Sequence, residues 1–389
     1  MQEKIILISK DVLRADCFAL YGNKYWDTPN VEELATKGTI FRRHYTAAPS
    51  SAMAYTCMFS GLNAYELNRS TYAEVGEFNQ DSTLFDLMAE RKYDCHVIWD
   101  EVWYRTAYRY SKCFGRGTVI HNLNIRQPVG PHRVREKGLN SEVVKNTMTT
   151  ICHEIDKISG RRIFIWIHLP HVLKGREGYG ADIDLLDDLV GHVRKRFGDE
   201  GIYITADHGH MNFEKGLVVY GFHVYEGEIW IPLITPRLSG LAEVTFPTSN
   251  IQLKEIIMDC SITKPEFVLS DTQYYAQPRR RLAVIKDEYK YIYSKSGYEE
   301  LYDLKWDSGE NVNLLRSRVF DNDRAMWYRS REVCFYPYYD RAQEYYQLLR
   351  SKKDKIWKTG SFWEETRARV RERARMFRSA VKRARGPGD

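Results

Sequence analysis

The stretch Gly201-Ile-Tyr-Ile-Thr-Ala-Asp207-His208-Gly209-His210 decides the fold of this 389-residue chain. Its β-branched and aromatic run of about five residues is typical of a buried strand. A carboxylate and an imidazole follow at once, and open α/β sheets keep their sites at the carboxyl ends of strands. This residue pair suits a divalent cation if the chain turns there, which Gly209 permits. A surface turn without a ligand is the alternative interpretation.

A second predicted strand, near the start of the chain, supplies a further candidate ligand. The run Ile5-Ile-Leu-Ile-Ser9 is typical of a buried parallel strand, and Lys10-Asp11 follows it. Asp11 can meet Asp207 and His208 if the two strands are neighbours. We therefore expect Asp11 to be the third metal ligand, although aspartate is also a common helix cap.

A short apolar helix is predicted to begin at Ser51 and to end near Gly61. A hydroxyl at the N-terminus of a helix lies in positive potential beside free N–H groups. That position favours an alkoxide and an anionic phosphate or sulfate group bound to it. Ser51, or its neighbour Ser50, is therefore a candidate nucleophile. The alternative is that either serine only caps the helix.

Further elements complete a pattern of alternating strands and helices. The residues Thr28 to Gly38 predict a helix with proline at its first position, and Asp182 to Phe197 predict an amphipathic helix. Between these helices, Arg162-Ile-Phe-Ile-Trp-Ile-His168 is a strand that leads into a second histidine, His171. A histidine at a strand end is often only structural.

Composition excludes several classes of protein. A hydrophobic content of 43% and an aromatic content of 13% exclude a disordered chain, and the length fits one large domain with a smaller one. We expect no membrane span and no signal peptide. Seven cysteines, an odd number without CxxC spacing, fit a reducing cytoplasm better than a disulfide framework or a zinc ribbon.

The basic charge of the chain is concentrated in its tail. Residues 351–389 carry 13 Lys and Arg against 5 Asp and Glu, whereas the whole chain has a net charge of +6. Trp363, Val370, Phe377 and Ala384 recur every seven residues in this tail. The pattern predicts a basic helix that lies on an anionic membrane, or that packs on the body or pairs with its copy in a dimer. Nucleic acid is an unlikely partner.

Several motifs occur in an order that resembles the sulfatase branch of the alkaline phosphatase superfamily. The resemblance covers residues 4 to about 315, and its motifs are Asp11-x-x-Arg-Ala-Asp16, Thr28-Pro-Asn, Ala48-Pro-Ser-Ser51 to Ser60-Gly61, Asp207-His-Gly209, Tyr225-Glu-Gly-Glu to Pro232-Leu-Ile, and Tyr289-Lys-Tyr to Glu300-Leu-Tyr-Asp.

The resemblance implies an α/β fold of the alkaline phosphatase type. We expect a mostly parallel central sheet flanked by helices, a smaller C-terminal antiparallel sheet region and a basic helical tail. The expected boundaries are 1–278 for the catalytic domain, 279–315 for the small sheet region and 316–389 for the basic extension.

The resemblance also implies roles for particular side chains. The metal ligands are Asp11, Ser51, Asp207 and His208, around one divalent ion that can be Mn, Zn, Mg or Ca. The catalytic residues are Ser51, His171 and His223. Substrate-binding candidates are Lys10, Arg14, His168 and His210, of which His168 is the alternative to His171 and His210 a supporting residue.

The sequence departs from the family in two places. Counting back ten residues from Gly61 puts Ser51 at the nucleophile, but the proline and arginine of the Cys/Ser-x-Pro-x-Arg signature are replaced by Met53 and Tyr55. We therefore expect no formylglycine. Val12 stands where many sulfatases have a second aspartate. The remaining ligand set is similar to that of the lipoteichoic acid synthases and phosphoethanolamine transferases.

We expect a cytoplasmic enzyme, with peripheral contact at the inner membrane face. The favoured activity is that of a metal-dependent phosphotransferase or phosphodiesterase acting in glycan modification or on another anionic ester, whether a phospholipid, a nucleotide-linked or a glycan substrate. A sulfuric-ester hydrolase is the first alternative. A non-catalytic scaffold that binds anionic glycan or membrane is the second.

Overall fold

The computed structural model describes residues 3–67, 83–100, 113–115, 117–123, 142–171, 176–217, 220–272, 280–294, 298–315 and 336–351. Residues 316–335, which include Cys334, lie outside these ranges. The residues after Ser351, for which the sequence predicts a basic helix, also lie outside them. No helix in the described ranges is long and apolar enough to cross a bilayer.

A central sheet organises the chain. The strands are β1 (Lys4–Lys10), β2 (Gly38–Phe41), β3 (His44–Tyr45), β4 (Asp94–Trp99), β5 (Val119–Asn122), β6 (Ile163–Leu169), β7 (Ile202–Ala206), β8 (Trp230–Ile231), β9 (Leu233–Pro236), β10 (Glu243–Val244), β11 (Thr248–Ser249), β12 (Val268–Asp271), β13 (Arg281–Lys286), β14 (Tyr289–Ser294) and β15 (Glu299–Asp303). Eight of them form one sheet in the order β10-β2-β9-β7-β1-β6-β4-β5. All of its pairings are parallel except those that β9 makes with β2 and β7.

Helices cover both faces of this sheet. The α-helices in the described ranges are α1 (Pro29–Lys37), α2 (Ser51–Ser60), α3 (Leu84–Glu90), α4 (Glu142–Lys157), α5 (Arg176–Phe197), α6 (Glu226–Ile229), α7 (Leu253–Asp259) and α8 (Tyr336–Ser351), of which α6 and α8 do not pack on the central sheet. Apolar residues of α1, α4 and α5 pack on one face, and those of α2, α3 and α7 pack on the other. The central strands are buried on both faces, which explains their continuous apolar sequences.

The helix predictions agree with the structure apart from their ends. The helix that begins at Ser51 ends at Ser60, and Gly61 follows it with a φ of 73°, a left-handed conformation that favours glycine. The helix predicted from Asp182 begins earlier, at Arg176.

A second, antiparallel sheet of four strands has the order β12-β13-β14-β15. Helix α8 packs on it through Ala342, Tyr345 and Leu349. The small sheet therefore begins at Val268 and not at the expected boundary of 279. Its first strand was missed because the four residues Val268 to Asp271 are too few to show a periodic pattern. The mostly parallel central sheet and the smaller antiparallel sheet are both as expected.

Candidate active site

Three neighbouring parallel strands bring the predicted site residues to one edge of the central sheet. In the register of the sheet, Lys10 at the end of β1 lies between Leu169 of β6 and Ala206 of β7. The residues that follow these strands therefore share the carboxyl edge, where α/β folds place their sites. Asp11 follows β1, His171 follows β6, and Asp207 and His208 follow β7.

Asp207 is fully buried and joins the two chain segments. Its Oδ1 accepts hydrogen bonds from the backbone N–H groups of Val12, at 3.0 Å, and of His208, at 2.7 Å. Oδ2 has no hydrogen-bond partner among the described residues. Burial raises the pKa of Asp207 above its ordinary value, and the nearby charge of Asp11 adds to this effect.

Val12 adopts a strained conformation at this junction. Its φ of 59° lies in the left-handed region, which a β-branched residue rarely occupies. The N–H of Val12 is held by Asp207, and the N–H of the next residue, Leu13, donates to the carbonyl oxygen of His208 at 2.9 Å. Backbone strain of this kind persists where surrounding contacts enforce it, often at functional sites.

Gly209 is required here by close packing. A Cβ atom at this position would lie 2.2 Å from the carbonyl oxygen of Gly227. The N–H of Gly209 also donates to the carbonyl oxygen of Glu228 at 2.8 Å. Helix α6 therefore supports the turn that presents Asp207 and His208.

His208 is held with one ring nitrogen toward the site. Its Nδ1 lies 2.8 Å from the carbonyl oxygen of Gly209, which can only accept a hydrogen bond. Nδ1 therefore carries the proton, and Nε2 keeps a lone pair. The ring of Tyr220 stacks on the imidazole at a centroid distance of 4.7 Å. No motif in the sequence marked Tyr220 as part of this site.

Ser51 lies beside both chain segments of the site, the one with Asp11 and the one with His208. Its Oγ is 3.1 Å from Nε2 of His208 and 3.3 Å from Oδ1 of Asp11. Ser51 is the first residue of α2, where the helix dipole favours negative charge. Ser50 is also buried, but its Oγ has no hydrogen-bond partner in the described part of the chain. The contacts favour Ser51 over Ser50 as the reacting hydroxyl.

The arrangement fits a divalent cation. Asp11, Asp207 and His208 each offer a ligand atom, and these three atoms lie within 4.8 Å of one another. The buried Oδ2 of Asp207 and the lone pair of His208 Nε2 face the same space, 3.5 Å apart. Two carboxylates with an imidazole and a hydroxyl suit Zn or Mn well and also admit Mg or Ca.

His171 contacts a buried ion pair beside this centre. Its Nδ1 is hydrogen-bonded to Oδ2 of Asp182 on α5, and Nζ of Lys10 lies 3.4 Å from the same oxygen. Lys10 also donates to the carbonyl oxygens of Asp11, at 2.9 Å, and Pro170, at 3.1 Å. Lys10 was expected to bind substrate, but these contacts give it a supporting place under the site. Asp182 was not singled out from the sequence.

His168 lies below the centre and is fully buried against α2. Its ring packs on those of Tyr55 and Trp166, at centroid distances of 5.3 and 5.7 Å. Burial lowers the pKa of His168 to about 4, so the ring is neutral at physiological pH. This placement favours His171 over His168 as the histidine that meets substrate.

Tyr55 fills the position of the signature arginine. It is fully buried, and its hydroxyl accepts a hydrogen bond from Ser9 at 3.2 Å. Oγ of Ser9 in turn accepts one from the indole N–H of Trp166 at 2.8 Å. Packed aromatic side chains therefore occupy the place at which the formylglycine signature has its arginine.

His223 lies beside a cation, whereas His171 lies beside a carboxylate. Its Nε2 is 3.1 Å from a guanidinium nitrogen of Arg281, and its ring stacks on Tyr225 at 5.4 Å. Because a guanidinium is always a donor, Nε2 of His223 is the acceptor. Sequence reasoning did not identify Arg281, which lies in the small sheet.

Arg14 and His210 support the loop after β7. The guanidinium of Arg14 binds Asp16 at 2.8 Å and Glu214 at 2.5 Å, and it reaches the carbonyl oxygen of His210 at 3.3 Å. Burial lowers the pKa of Arg14, but Asp16 and Glu214 raise it by more, so the pKa lies above its ordinary value. Nδ1 of His210 contacts Asn212, and burial lowers the pKa of its ring. Both residues were expected to bind substrate.

The sequence of this chain matches one family model and two curated proteins. The model of the family described as Sulfatase matches residues 3–237. An arylsulfatase of Clostridium perfringens is 30% identical over 98 residues, which cover 25% of this chain and 20% of that protein. A choline-sulfatase of Rhizobium meliloti is 27% identical over 186 residues, which cover 40% and 36%. The chain thus spans well under half the length of these curated relatives.

Solved structures share the fold at low sequence identity. The phosphonate monoester hydrolase of Agrobacterium radiobacter superposes with a TM-score of 0.66 at 13% identity, over 91% of this chain and 96% of that one. A protein solved in complex with its substrate, D-glucosamine-2-N,6-O-disulfate, gives a TM-score of 0.62 at 14% identity, over 92% and 98%.

Proposed function

The chain belongs to the sulfatase family of metal-dependent enzymes, and we propose that it cleaves or transfers a monoanionic phospho-ester through the hydroxyl of Ser51. One observation carries this proposal. Oγ of Ser51 lies within 3.3 Å of Asp11 and His208, at a cluster whose third member, Asp207, has a buried oxygen without a partner in the described residues.

The charges around Ser51 favour a substrate with a single negative charge. Two carboxylates and one divalent ion sum to neutrality. The two cations that flank Asp11 in the sequence are already paired with carboxylates, Lys10 with Asp182 and Arg14 with Asp16 and Glu214. Phosphodiesters, phosphonate monoesters and sulfate esters carry one negative charge at neutral pH, whereas phosphate monoesters approach two.

An unmodified serine favours a phospho-ester within this group. A hydrated aldehyde can release its bound anion by breaking a carbon–oxygen bond, because a second hydroxyl stands on the same carbon. The Cβ of Ser51 has no second oxygen. A covalent intermediate on Ser51 must therefore be resolved by attack of an acceptor on phosphorus or sulfur, a displacement that phospho-esters undergo repeatedly in enzymes.

In the first step the hydroxyl of Ser51 gives its proton to solvent water, and Oγ forms a bond with phosphorus. The bond from phosphorus to the leaving oxygen breaks, and that oxygen takes a proton from Nε2 of His171. Asp11, Asp207 and His208 would hold a divalent cation, which would lower the pKa of the seryl hydroxyl and offset charge on the phospho group. The N-terminus of α2 adds partial positive charge at the same place.

The second step reverses these roles. Water, or the hydroxyl of an acceptor molecule, gives its proton to Nε2 of His171 and attacks phosphorus. The bond between phosphorus and Oγ breaks, and Oγ takes a proton from solvent water, which restores the hydroxyl of Ser51. Attack by water completes a hydrolysis, and attack by a sugar or lipid hydroxyl completes a transfer.

His171 suits this proton transfer better than His223. The carboxylate of Asp182 holds His171 through Nδ1, so Nε2 is the nitrogen that can exchange a proton with the substrate. Arg281 beside His223 repels a second positive charge and occupies Nε2 as a donor. His223 and Arg281 are instead placed to hold an anionic or hydroxyl group of the substrate.

Sulfuric-ester hydrolysis is the second candidate, because the curated relatives are an arylsulfatase and a choline-sulfatase. The same residues serve this reaction, with sulfur in place of phosphorus. A glycan ester is the favoured natural form in either case, since one structural neighbour was solved with a sulfated glucosamine as its substrate.

Esters that share one leaving group separate the candidates. We would measure kcat/KM for bis(para-nitrophenyl) phosphate, para-nitrophenyl phenylphosphonate, para-nitrophenyl sulfate and para-nitrophenyl phosphate, with one divalent metal at a time. The proposal expects the two singly charged phospho-esters to exceed the others. Higher kcat/KM for the sulfate would establish the sulfatase, and no turnover of any ester with any metal would reject both candidates.

The place of the reaction is also part of the proposal. Six cysteines in the described residues are free thiols, which fits the reducing cytoplasm. The basic residues 351–389 would bring the enzyme to the inner membrane face. Sedimentation with anionic liposomes tests this, and unchanged sedimentation after removal of residues 352–389 would reject it.

A further inference from the structure

Asp182 connects two elements of the site that the sequence does not link. It lies in the first half of α5, only 2% exposed, and its Oδ2 contacts both His171 and Lys10. Lys10 is 1% exposed, whereas His171 is 21% exposed and so reaches the surface of the site. The three side chains form a line from a buried cation, through a buried carboxylate, to an imidazole at the surface.

The chemistry of this line fixes the state of the imidazole. An ionised carboxylate only accepts hydrogen bonds, so the nitrogen that meets Asp182 carries a proton. Nδ1 of His171 is thus a permanent donor, and Nε2 becomes the nitrogen that exchanges protons. Lys10 compensates the buried charge of Asp182, which would otherwise be costly. Two backbone carbonyl oxygens hold Lys10 in turn.

We propose that Asp182 is a positioning residue for proton transfer. It keeps the proton on Nδ1 of His171 and turns Nε2 toward the leaving oxygen, while Lys10 holds Asp182 in place. This inference rests on the proposed function, because it requires that His171 protonates a leaving group. A second interpretation is that Asp182 and Lys10 only fasten α5 to the end of β1.

A second buried aspartate on the same helix provides a matched control. Asp187 is also nearly inaccessible, and its carboxylate accepts hydrogen bonds from the side chain of Asn30, at 2.9 Å, and from the N–H of Val31, at 2.9 Å. It fastens α5 to α1 and contacts none of the site residues described above. Loss of either carboxylate weakens packing, but only Asp182 should affect proton transfer.

The dependence of rate on the leaving group separates the two interpretations. A good leaving group such as para-nitrophenolate needs no proton, whereas an alkyl alcohol does. We would measure kcat/KM for a series of phosphodiesters whose leaving groups range from para-nitrophenol to methanol, using wild type, Asp182→Asn and Asp187→Asn. Melting temperature and bound metal would be recorded for each protein.

The inference expects a selective loss. Asp182→Asn should lower kcat/KM less than about 10-fold with para-nitrophenol and about 100-fold or more with alkyl alcohols, the range of general acid catalysis. Asp187→Asn should act equally on all substrates. Adding Asp182→Asn to His171→Ala should cause little further loss, because both changes remove one function. Asp182→Glu keeps the charge for Lys10 while displacing the contact with His171, and should show the same selectivity if Asp182→Asn does not fold.

Equal losses across the series for Asp182→Asn and Asp182→Glu would overturn the inference and leave Asp182 as a structural support. In that case the proposed function would still stand, provided that wild type turns over the series and Ser51→Ala does not. Failure of the wild type with every ester, or undiminished turnover by Ser51→Ala, would overturn the proposed function and this inference together.

Discussion

The hydroxyl oxygen of Ser51 lies 3.1 Å from Nε2 of His208, although 157 positions separate the two residues in the chain. The contact exists because α2 begins where the loop after β7 turns back over the carboxyl edge of the sheet. His208 presents a lone pair there, since its other nitrogen is held by the carbonyl oxygen of Gly209. The fold therefore places the proposed nucleophile beside a proposed metal ligand.

Replacing Ser51 by alanine should abolish turnover with little effect on metal content. We expect a loss of at least about 1000-fold in kcat, because the nucleophile is removed while Asp11, Asp207 and His208 remain. Ser50→Ala is the matched control and should keep near-normal activity. Phosphodiester turnover and metal analysis of the purified variants test this. The reverse result, with Ser50 essential and Ser51 dispensable, would move the nucleophile by one position.

Asp207→Asn should change stability in opposite directions with and without metal. In the absence of metal, the substitution removes a buried negative charge whose Oδ2 lacks a partner in the described residues, so the melting temperature should rise. Saturating Mn or Zn should raise the free energy of unfolding of wild type by a few kcal/mol and that of the variant very little, because a bound ligand stabilises only the folded state. Scanning calorimetry with and without chelator tests this. A similar gain from metal in both proteins would exclude Asp207 as a ligand.

Glu228→Gln should stabilise the protein at alkaline pH. Burial raises the pKa of Glu228 from 4.5 to about 9, so folding binds a proton that the unfolded chain releases. The contribution of this group to the free energy of unfolding is therefore greatest below pH 4.5, and it falls as pH rises toward 9. Glutamine has no proton to lose. The free energy of unfolding of Glu228→Gln should therefore exceed that of wild type by at least about 1 kcal/mol at pH 8.

Urea unfolding of wild type and Glu228→Gln at pH 5 and pH 8 measures this difference. Glu200→Gln, at an exposed position, is the control and should follow wild type at both values. Parallel pH dependence of wild type and Glu228→Gln would show that Glu228 is ionised in the folded protein.

Lys290→Met should destabilise the small sheet strongly. Nζ of Lys290 is fully buried and lies 2.9 Å from Glu226 and 2.7 Å from Glu310. Its loss leaves two carboxylates together in a buried place, which typically costs about 3 to 5 kcal/mol. Lys286→Met removes a more exposed pair with Glu344 and should cost about 1 kcal/mol or less. Equal effects of the two substitutions on urea unfolding would contradict this.

The sequence was sufficient to predict that three candidate ligands from two strand ends lie close together. Asp11 follows the end of one apolar strand and Asp207 and His208 follow the end of another, and neighbouring parallel strands end at the same edge of the sheet. The helix that begins at Ser51 was equally visible, because mostly apolar residues continue from that serine to Gly61. These patterns are local, so they survive without knowledge of the fold.

The supporting residues could not be predicted because their partners are distant in sequence. Asp182 carries no local signal, since a carboxylate near the start of a helix is usually solvated. Only the neighbouring positions of β1 and α5 bring Lys10 onto it. Arg281 meets His223 through a strand of the small sheet, whose first strand was itself too short to recognise. Tyr220 covers His208 from a loop without periodic pattern.

A covalent adduct on Ser51 tests the central claim most directly. The variant His171→Ala should still react with bis(para-nitrophenyl) phosphate, because para-nitrophenolate needs no proton to leave. It should then stall, because no base activates water. We predict a burst of one nitrophenol per metal-loaded protein, and an added nitrophenyl phosphoryl group that peptide mapping assigns to Ser51. Steady turnover by Ser51→Ala, or an adduct on another residue, would contradict the account.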